Sequence, residues 1–127
     1  MKLVLDTFFD ELGRAEQCAL LLDYDGTLAP FQVDRSKAVP YPGIRQALER
    51  IITLQNTYVV VITGRGINDI LPLLELSQLP EIWGSHGWER LTPEGTYEIA
   101  PLDGRAKAGL DRALQEVQNI GLSDRCE

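Results

Sequence analysis

Asp23 and Asp25 flank a single tyrosine, and Gly26-Thr27 follows at once. Residues i and i+2 of an extended chain point the same way, so the two carboxylates are expected on one side of a strand's exit. Like charges held that close raise one pKa unless a cation intervenes. The pair suits transfer of an anionic phosphate ester. That chemistry needs a nucleophile, an acid for the leaving oxygen, and positive charge to offset crowded anions. Asp23 is the candidate nucleophile and also an Mg2+ ligand, because a carboxylate has two oxygens and Mg2+ prefers oxygen donors. Asp25 is the candidate acid and base. It would protonate the leaving alcohol and later deprotonate the water that splits the acyl phosphate. That role asks for a pKa above the ordinary aspartate value. Gly26 permits the sharp turn. The plain alternative is an Asx-type turn, since Asp-Gly is a common turn pair. An EF-hand loop is excluded: Gly26 comes too early, and Thr27 stands where another acid belongs.

Two further polar turns end apolar runs. Tyr58-Val59-Val60-Val61-Ile62 leads into Thr63-Gly64-Arg65-Gly66. A threonine hydroxyl and successive backbone N–H groups at a helix start can hold phosphate oxygens, and Arg65 adds a charged donor. A threonine-glycine turn with a solvated arginine is the alternative. A dinucleotide fingerprint is excluded, because Asp69 stands at the third glycine position. Ile82-Trp83 leads into Gly84-Ser85-His86-Gly87. His86 is the single histidine, and no cysteine stands at ligand spacing, which argues against zinc. Trp83 and Trp88 read as core or hairpin packing, with sugar stacking by Trp88 as the alternative. Arg35 and Lys37 read as solvated loop charges, and Arg45, Glu49 and Arg50 as a helix's outer face.

The elements that must position these turns follow from periodicity. Leu5, Phe8, Phe9 and Leu12 predict an amphipathic helix within Met1 to Gly13. Unbroken apolar runs predict strands over 18–23 and 58–62 that are covered on both faces. Residues 28–41 read as irregular, punctuated by Pro30 and Pro40. A helix is expected from Pro42 to about Leu54, burying Ile44, Ala47, Leu48, Ile51 and Ile52. Another is expected over 67–76, bent or shortened by Pro72. A brief third strand, a hairpin about Thr92-Pro93-Glu94-Gly95 and a helix over 105–120 complete the chain. The alternation predicts an α/β fold: a Rossmann-like, doubly wound parallel sheet with helices on both faces. The turns DYDGT, TGRG and GSHG then meet at the carboxyl ends of the strands, where ligands collect in such sheets.

Nineteen acids against twelve bases give the 127-residue chain a net charge of −7. Nucleic acid is excluded as a partner, for want of a basic stripe. A phosphorylated substrate would need a metal ion or local donors. Cys18 and Cys126 show no framework or metal spacing and read as free thiols of a reducing compartment. No apolar run reaches transmembrane length, and the N-terminus reads as lacking a basic start and a cleavage signal. No membrane partner and a cytoplasmic setting are therefore expected.

With LLLDYDGTLAPF, VVVITGR and GSHGWE followed by a Pro-Glu-Gly hairpin, the sequence resembles the haloacid-dehalogenase-like phosphohydrolases. It looks most like their trehalose-6-phosphate phosphatase branch. The resemblance implies Mg2+ dependence and a sugar-phosphate substrate, in the first place trehalose 6-phosphate. It makes Asp23 the phosphorylated nucleophile, Asp25 the acid and base, and the Asp25 carbonyl a further metal ligand. Thr63, Gly64 and Arg65 become the phosphate-binding loop. Residues 1–87 correspond to the N-terminal part of the core, and 88–127 to the opening of a cap.

The chain departs from the family in one respect. A lysine and then a Gly-Asp pair belong on later strands. Here only Lys107 follows Thr63, inside a helical pattern, and Asp103-Gly104 precedes it without a β run. The expectation is a missing C-terminal half or a second polypeptide, an open sheet edge, and weak activity and marginal stability for this chain alone. The alternatives are a phosphatase or phosphomutase for another sugar phosphate, or a non-catalytic fragment that serves as a binding module. A receiver domain fits less well, because the third strand ends in Gly84-Ser85-His86 and not in a phospho-accepting aspartate.

Overall fold

Each apolar run identified in the sequence becomes a strand or a helix. In the computed structural model, residues 5–122 are described. Helix α1 (Leu5–Arg14) precedes strand β1 (Cys18–Asp23). Then come α2 (Ile44–Leu54), β2 (Thr57–Ile62), α3 (Ile67–Leu74) and β3 (Glu81–Gly84). A short hairpin, β4 (Glu89–Leu91) and β5 (Tyr97–Ile99), leads to α4 (Gly104–Asn119). Of the expected features, the first four residues of the opening helix and the Cys126 thiol lie outside the described residues. Helix α2 starts at Ile44, two residues after Pro42, with Gly43 in the left-handed region at its N-cap (φ 89°).

The five strands form one sheet in the order β1-β2-β3-β4-β5. β1–β2 and β2–β3 are parallel, whereas β3–β4 and β4–β5 are antiparallel. The α/β, Rossmann-like expectation stands, with a mixed sheet in place of a wholly parallel one. The hairpin turn closes through Gly95 N–H to the Thr92 carbonyl (2.9 Å), with Gly95 at φ 87°.

Both crossovers step in the same direction along the sheet, and right-handed connections then place α2 and α3 on one face. That face carries Leu22, Val59, Val61 and Ile82, packed with Leu48 of α2 and Ile67, Ile70 and Leu74 of α3. The other face lacks a helix among the described residues, and α1 and α4 bury no residue. The expectation of strands covered on both sides is therefore corrected. β1 alternates between half-buried and exposed, and Leu21 is 61% exposed. In β2 only Val59, Val60 and Val61 are buried. A run of leucines reports that a strand is apolar on both faces; it does not report which of those faces this stretch of chain covers.

One polar network spans the open face. Glu81 is buried and accepts hydrogen bonds from the Tyr58 hydroxyl, Trp83 Nε1 and the Arg90 guanidinium, with Arg90 Nε at 3.0 Å. Arg90 also reaches Glu98 and lies over the Trp83 ring. Hydrogen bonds from Arg90, above all, take the Glu81 carboxyl from its ordinary 4.5 down to about 2. A depressed carboxyl pKa adds stability above the unfolded value and loses it as pH falls toward the folded one. Wild type should therefore exceed Glu81→Gln by about 2 kcal/mol at pH 7, after discounting for the solvent-washed side of the network. The gap should close between pH 4.5 and about 2. Urea midpoints of the two proteins across that range check this; a gap independent of pH would show that the charge contributes nothing.

Candidate active site

β1 ends at Asp23, and the chain turns immediately. The buried Tyr24 carbonyl accepts from the N–H groups of Thr27, Leu28 and Ala29, and Gly26 takes φ 83°. Asp25 lies beyond the end of the strand, in this turn, where it bridges to Ala29. Asp23 is exposed on the bare sheet face, and its carboxylate makes no hydrogen bond or ion pair among the described residues. It lines an open cavity of about 620 Å³ with Leu21, Ile62, Thr63, Gly64 and His86. Asp25 lines a neighbouring cavity of about 560 Å³ with Phe31, Gln32, Arg35, Gly64 and His86. Gly64 and His86 border both. The imidazole lies so close that a Cβ on Gly64 would sit 2.6 Å from His86 Cε1.

Thr63 and Arg65 are both 3% exposed. Thr63 Oγ1 accepts from the Arg65 backbone N–H at 3.1 Å, which leaves its own hydroxyl proton to donate. Arg65 does not aim at an open phosphate position. Its guanidinium forks onto Asp25, Nε to Oδ2 at 2.8 Å and Nη2 to Oδ1 at 2.7 Å, while Nη1 donates to the Arg35 carbonyl at 2.8 Å. The Tyr24 ring lies beneath it, 5.5 Å from ring centre to Cζ. These hydrogen bonds from Arg65 hold the Asp25 carboxyl below the usual aspartate range. The elevated pKa expected for an acid catalyst is therefore not met here. A cation does intervene, and it favours the carboxylate.

The third turn is stitched to the second. Ser85 N–H donates to the Arg65 carbonyl at 2.8 Å and His86 N–H to the Thr63 carbonyl at 3.2 Å. Ser85 and His86 both take positive φ, 48° and 55°, in the left-handed region that non-glycine residues avoid. Glu89 holds them there: it accepts from the Ser85 hydroxyl and from Ile67 N–H at the start of α3. Gly84 is required because a Cβ would lie 2.9 Å from the Arg65 carbonyl. The sequence assigns Glu89 and Ser85 no role, and nothing in their spacing marks a carboxylate that joins the third turn to the start of α3. Trp88, expected as packing, is 44% exposed. Arg35, expected as a solvated charge, lines the Asp25 cavity, while Lys37 pairs with Asp34 on the surface. Arg45 and Glu49 are not merely an outer helix face, since they tie α2 to the Leu73 carbonyl and to Ser77.

A Mg2+ ion is the group this chemistry implies, and the donor set can be tested for it. Among the described residues no cluster of three or more His, Cys, Asp or Glu side chains could hold a metal. One open carboxylate at Asp23 is present, and the Asp25 carbonyl stands two residues on. Mg2+ keeps several waters and takes one or two carboxylates plus substrate phosphate oxygens, so this reduced set fits it.

The three turns thus gather at one end of the strands. The profile of the trehalose-phosphatase family matches residues 21–122 and includes all three. The chain belongs to the trehalose-phosphatase family. The trehalose-phosphate phosphatase of Mycobacterium tuberculosis (strain H37Rv) is 35% identical over 110 residues, 84% of this chain and 27% of that protein. That of Mycobacterium leprae is 36% identical over 85 residues, 65% of this chain and 19% of its own length. Among solved structures, the C-terminal domain of Candida albicans trehalose-6-phosphate phosphatase superimposes with a TM-score of 0.75 at 17% identity. It matches 92% of this chain and 41% of that one. A haloacid dehalogenase-like hydrolase from Bacillus subtilis gives a TM-score of 0.59 at 25% identity, over 81% of this chain and 34% of the other. The chain therefore spans less than half of each of these proteins. Among the described residues, no helix is long and apolar enough to cross a membrane.

Proposed function

We propose that this chain carries the nucleophile and phosphate loop of a Mg2+-dependent phosphomonoester hydrolase whose substrate is a sugar phosphate, in the first place trehalose 6-phosphate. The observation that carries the reading is the Asp23 carboxylate, unpartnered among the described residues and set at the carboxyl end of β1 in one cavity with Thr63 and Gly64. In this reading Asp23 Oδ bonds to phosphorus as the bond from phosphorus to the sugar oxygen breaks, and Asp25 delivers a proton to that oxygen. Water then attacks the acyl phosphate, its proton passes to Asp25, and the Asp23 carboxylate is restored. The base half of this cycle is the one the Arg65 fork favours. Thr63 Oγ1 donates to a phosphate oxygen, with the backbone of Gly64 beside it. Asp23 and the Asp25 carbonyl would hold Mg2+, which supplies positive charge against the phosphate anion.

The bare sheet face, the unpaired edge of β1 and the partial coverage of relatives support completion of this site by further polypeptide. The same reading makes residues 1–87 core, residues 88–127 the opening of a cap, and the setting cytoplasmic, with Cys18 a free thiol. Beryllofluoride, a mimic of the aspartyl phosphate, provides the test. With Mg2+ present, the 127-residue chain should show a bound 19F signal that chelation by EDTA removes. No bound signal under any Mg2+ concentration would point instead to a non-catalytic binding module.

A further inference from the structure

Three consecutive residues of the third turn, Ser85, His86 and Gly87, run left-handed, at φ 48°, 55° and 93°. Two of them carry a Cβ, and such backbone persists only where its surroundings over-determine it. Glu89, the first residue of β4, supplies the restraint and pairs with Gly84 across the turn. One of its carboxylate oxygens accepts from the Ser85 hydroxyl and the other from Ile67 N–H, at 3.0 Å. These bonds, the one from Ser85 foremost, hold the Glu89 carboxyl below the usual glutamate range. The second bond is a helix cap delivered from another strand. Gly66, at the N-cap of α3, has no side chain to offer, and a Cβ there would stand 3.6 Å from Glu89 Oε1. At Ile67 the helix start expected to receive a substrate anion is therefore met by the chain's own carboxylate.

The turn so fixed clamps the loop between β2 and α3. Thr63 N–H donates to the Trp83 carbonyl at 2.9 Å, and the Thr63 carbonyl accepts from His86 N–H at 3.2 Å. The Arg65 carbonyl accepts from Ser85 N–H at 2.8 Å. Gly64 N–H makes no bond among the described residues, and Gly64 lines one cavity with Thr63 and Asp23. We propose that Glu89 is a positioning residue for phosphate binding: by spanning Ser85 and Ile67 it fixes the third turn, and through that turn the Thr63 hydroxyl and the Gly64 N–H beside Asp23. On the phosphatase reading, on which this role rests, Glu89 touches neither phosphate nor Mg2+.

The test uses the whole 127-residue chain with Mg2+, titrated with inorganic phosphate and observed by 15N NMR, with urea midpoints measured separately. In wild type, phosphate should move the Thr63 and Gly64 amides. Glu89→Ala should shift both amides before any phosphate is added and weaken phosphate binding about tenfold, the loss of one well-placed hydrogen bond. Glu89→Gln should bind phosphate within about twofold of wild type, because its amide oxygen can accept from Ile67 N–H while its NH2 group donates to Ser85 Oγ. If Glu89→Ala gives no folded spectrum, Ser85→Ala carries the same test. It removes one of the two bonds and should weaken phosphate binding about threefold. A folded Glu89→Ala or, in its place, Ser85→Ala chain that binds phosphate like wild type, whatever its urea midpoint, overturns the role. So does a Glu89→Gln chain as weak as Glu89→Ala. If phosphate moves neither Thr63 nor Gly64 in wild type, the phosphatase reading itself falls.

Discussion

Asp23→Asn should abolish turnover in any preparation of this polypeptide that hydrolyses trehalose 6-phosphate, by about four orders of magnitude in kcat. The substitution keeps the size and planarity of the side chain but leaves no carboxylate to attack phosphorus. The side chain is exposed at a strand's end and unpartnered among the described residues, so the change should leave the fold intact. Surface substitutions of that kind fall within about 0.5 kcal/mol. The pair of readouts is therefore sharp. Phosphate release and the beryllofluoride signal should both vanish, while the urea midpoint stays where it was. Turnover that survives Asp23→Asn undiminished would remove the nucleophile from this account, and phosphate transfer through an aspartyl phosphate with it.

The site was legible in the sequence where the chain itself fixes geometry. An apolar run ending in Asp23-Tyr24-Asp25-Gly26 announces a strand, a turn and two acids. A β-branched run ending in Thr63-Gly64 announces the loop beside it. Parallel pairing brings their ends together, as the register Asp23↔Ile62 shows. What the sequence did not show are contacts made between turns. Arg65 and Asp25 are 40 positions apart, and an arginine after Thr-Gly reads equally well as a phosphate ligand or as a fork on a carboxylate. Glu89 reaching Ser85 and α3 depends on a hairpin folding back onto β3, a placement that no local pattern encodes. The open face was misread for another reason. Leu21 and Ile62 are as apolar as their buried neighbours, and hydropathy carries no information on whether a strand's second face is covered.

The second large effect is expected at Arg65. Its side chain is 4% exposed against 29% for Asp25, so Arg65→Ala strands a partly buried carboxylate and also empties the space above Tyr24. Breaking one partner of such a pair costs about 3 kcal/mol. The guanidinium also joins the first turn to the segment after it, through the Arg35 carbonyl, so its loss frees Asp25 and that segment together. Displacement of a reacting group by about 1 Å costs roughly 100-fold in rate, and kcat should fall by that order. Arg65→Lys should rescue little, because a single ammonium cannot make two parallel bonds to one carboxylate. Two cycles separate the effects. In urea unfolding, Arg65→Ala combined with Asp25→Asn should cost clearly less than the sum of the two single changes, since the stranded charge is gone in the double variant. In turnover, Arg65→Ala should lower kcat with KM nearly unchanged. A strictly additive cycle, or a loss confined to KM, would return Arg65 to the role of direct phosphate ligand and leave Asp25 positioned by the turn alone.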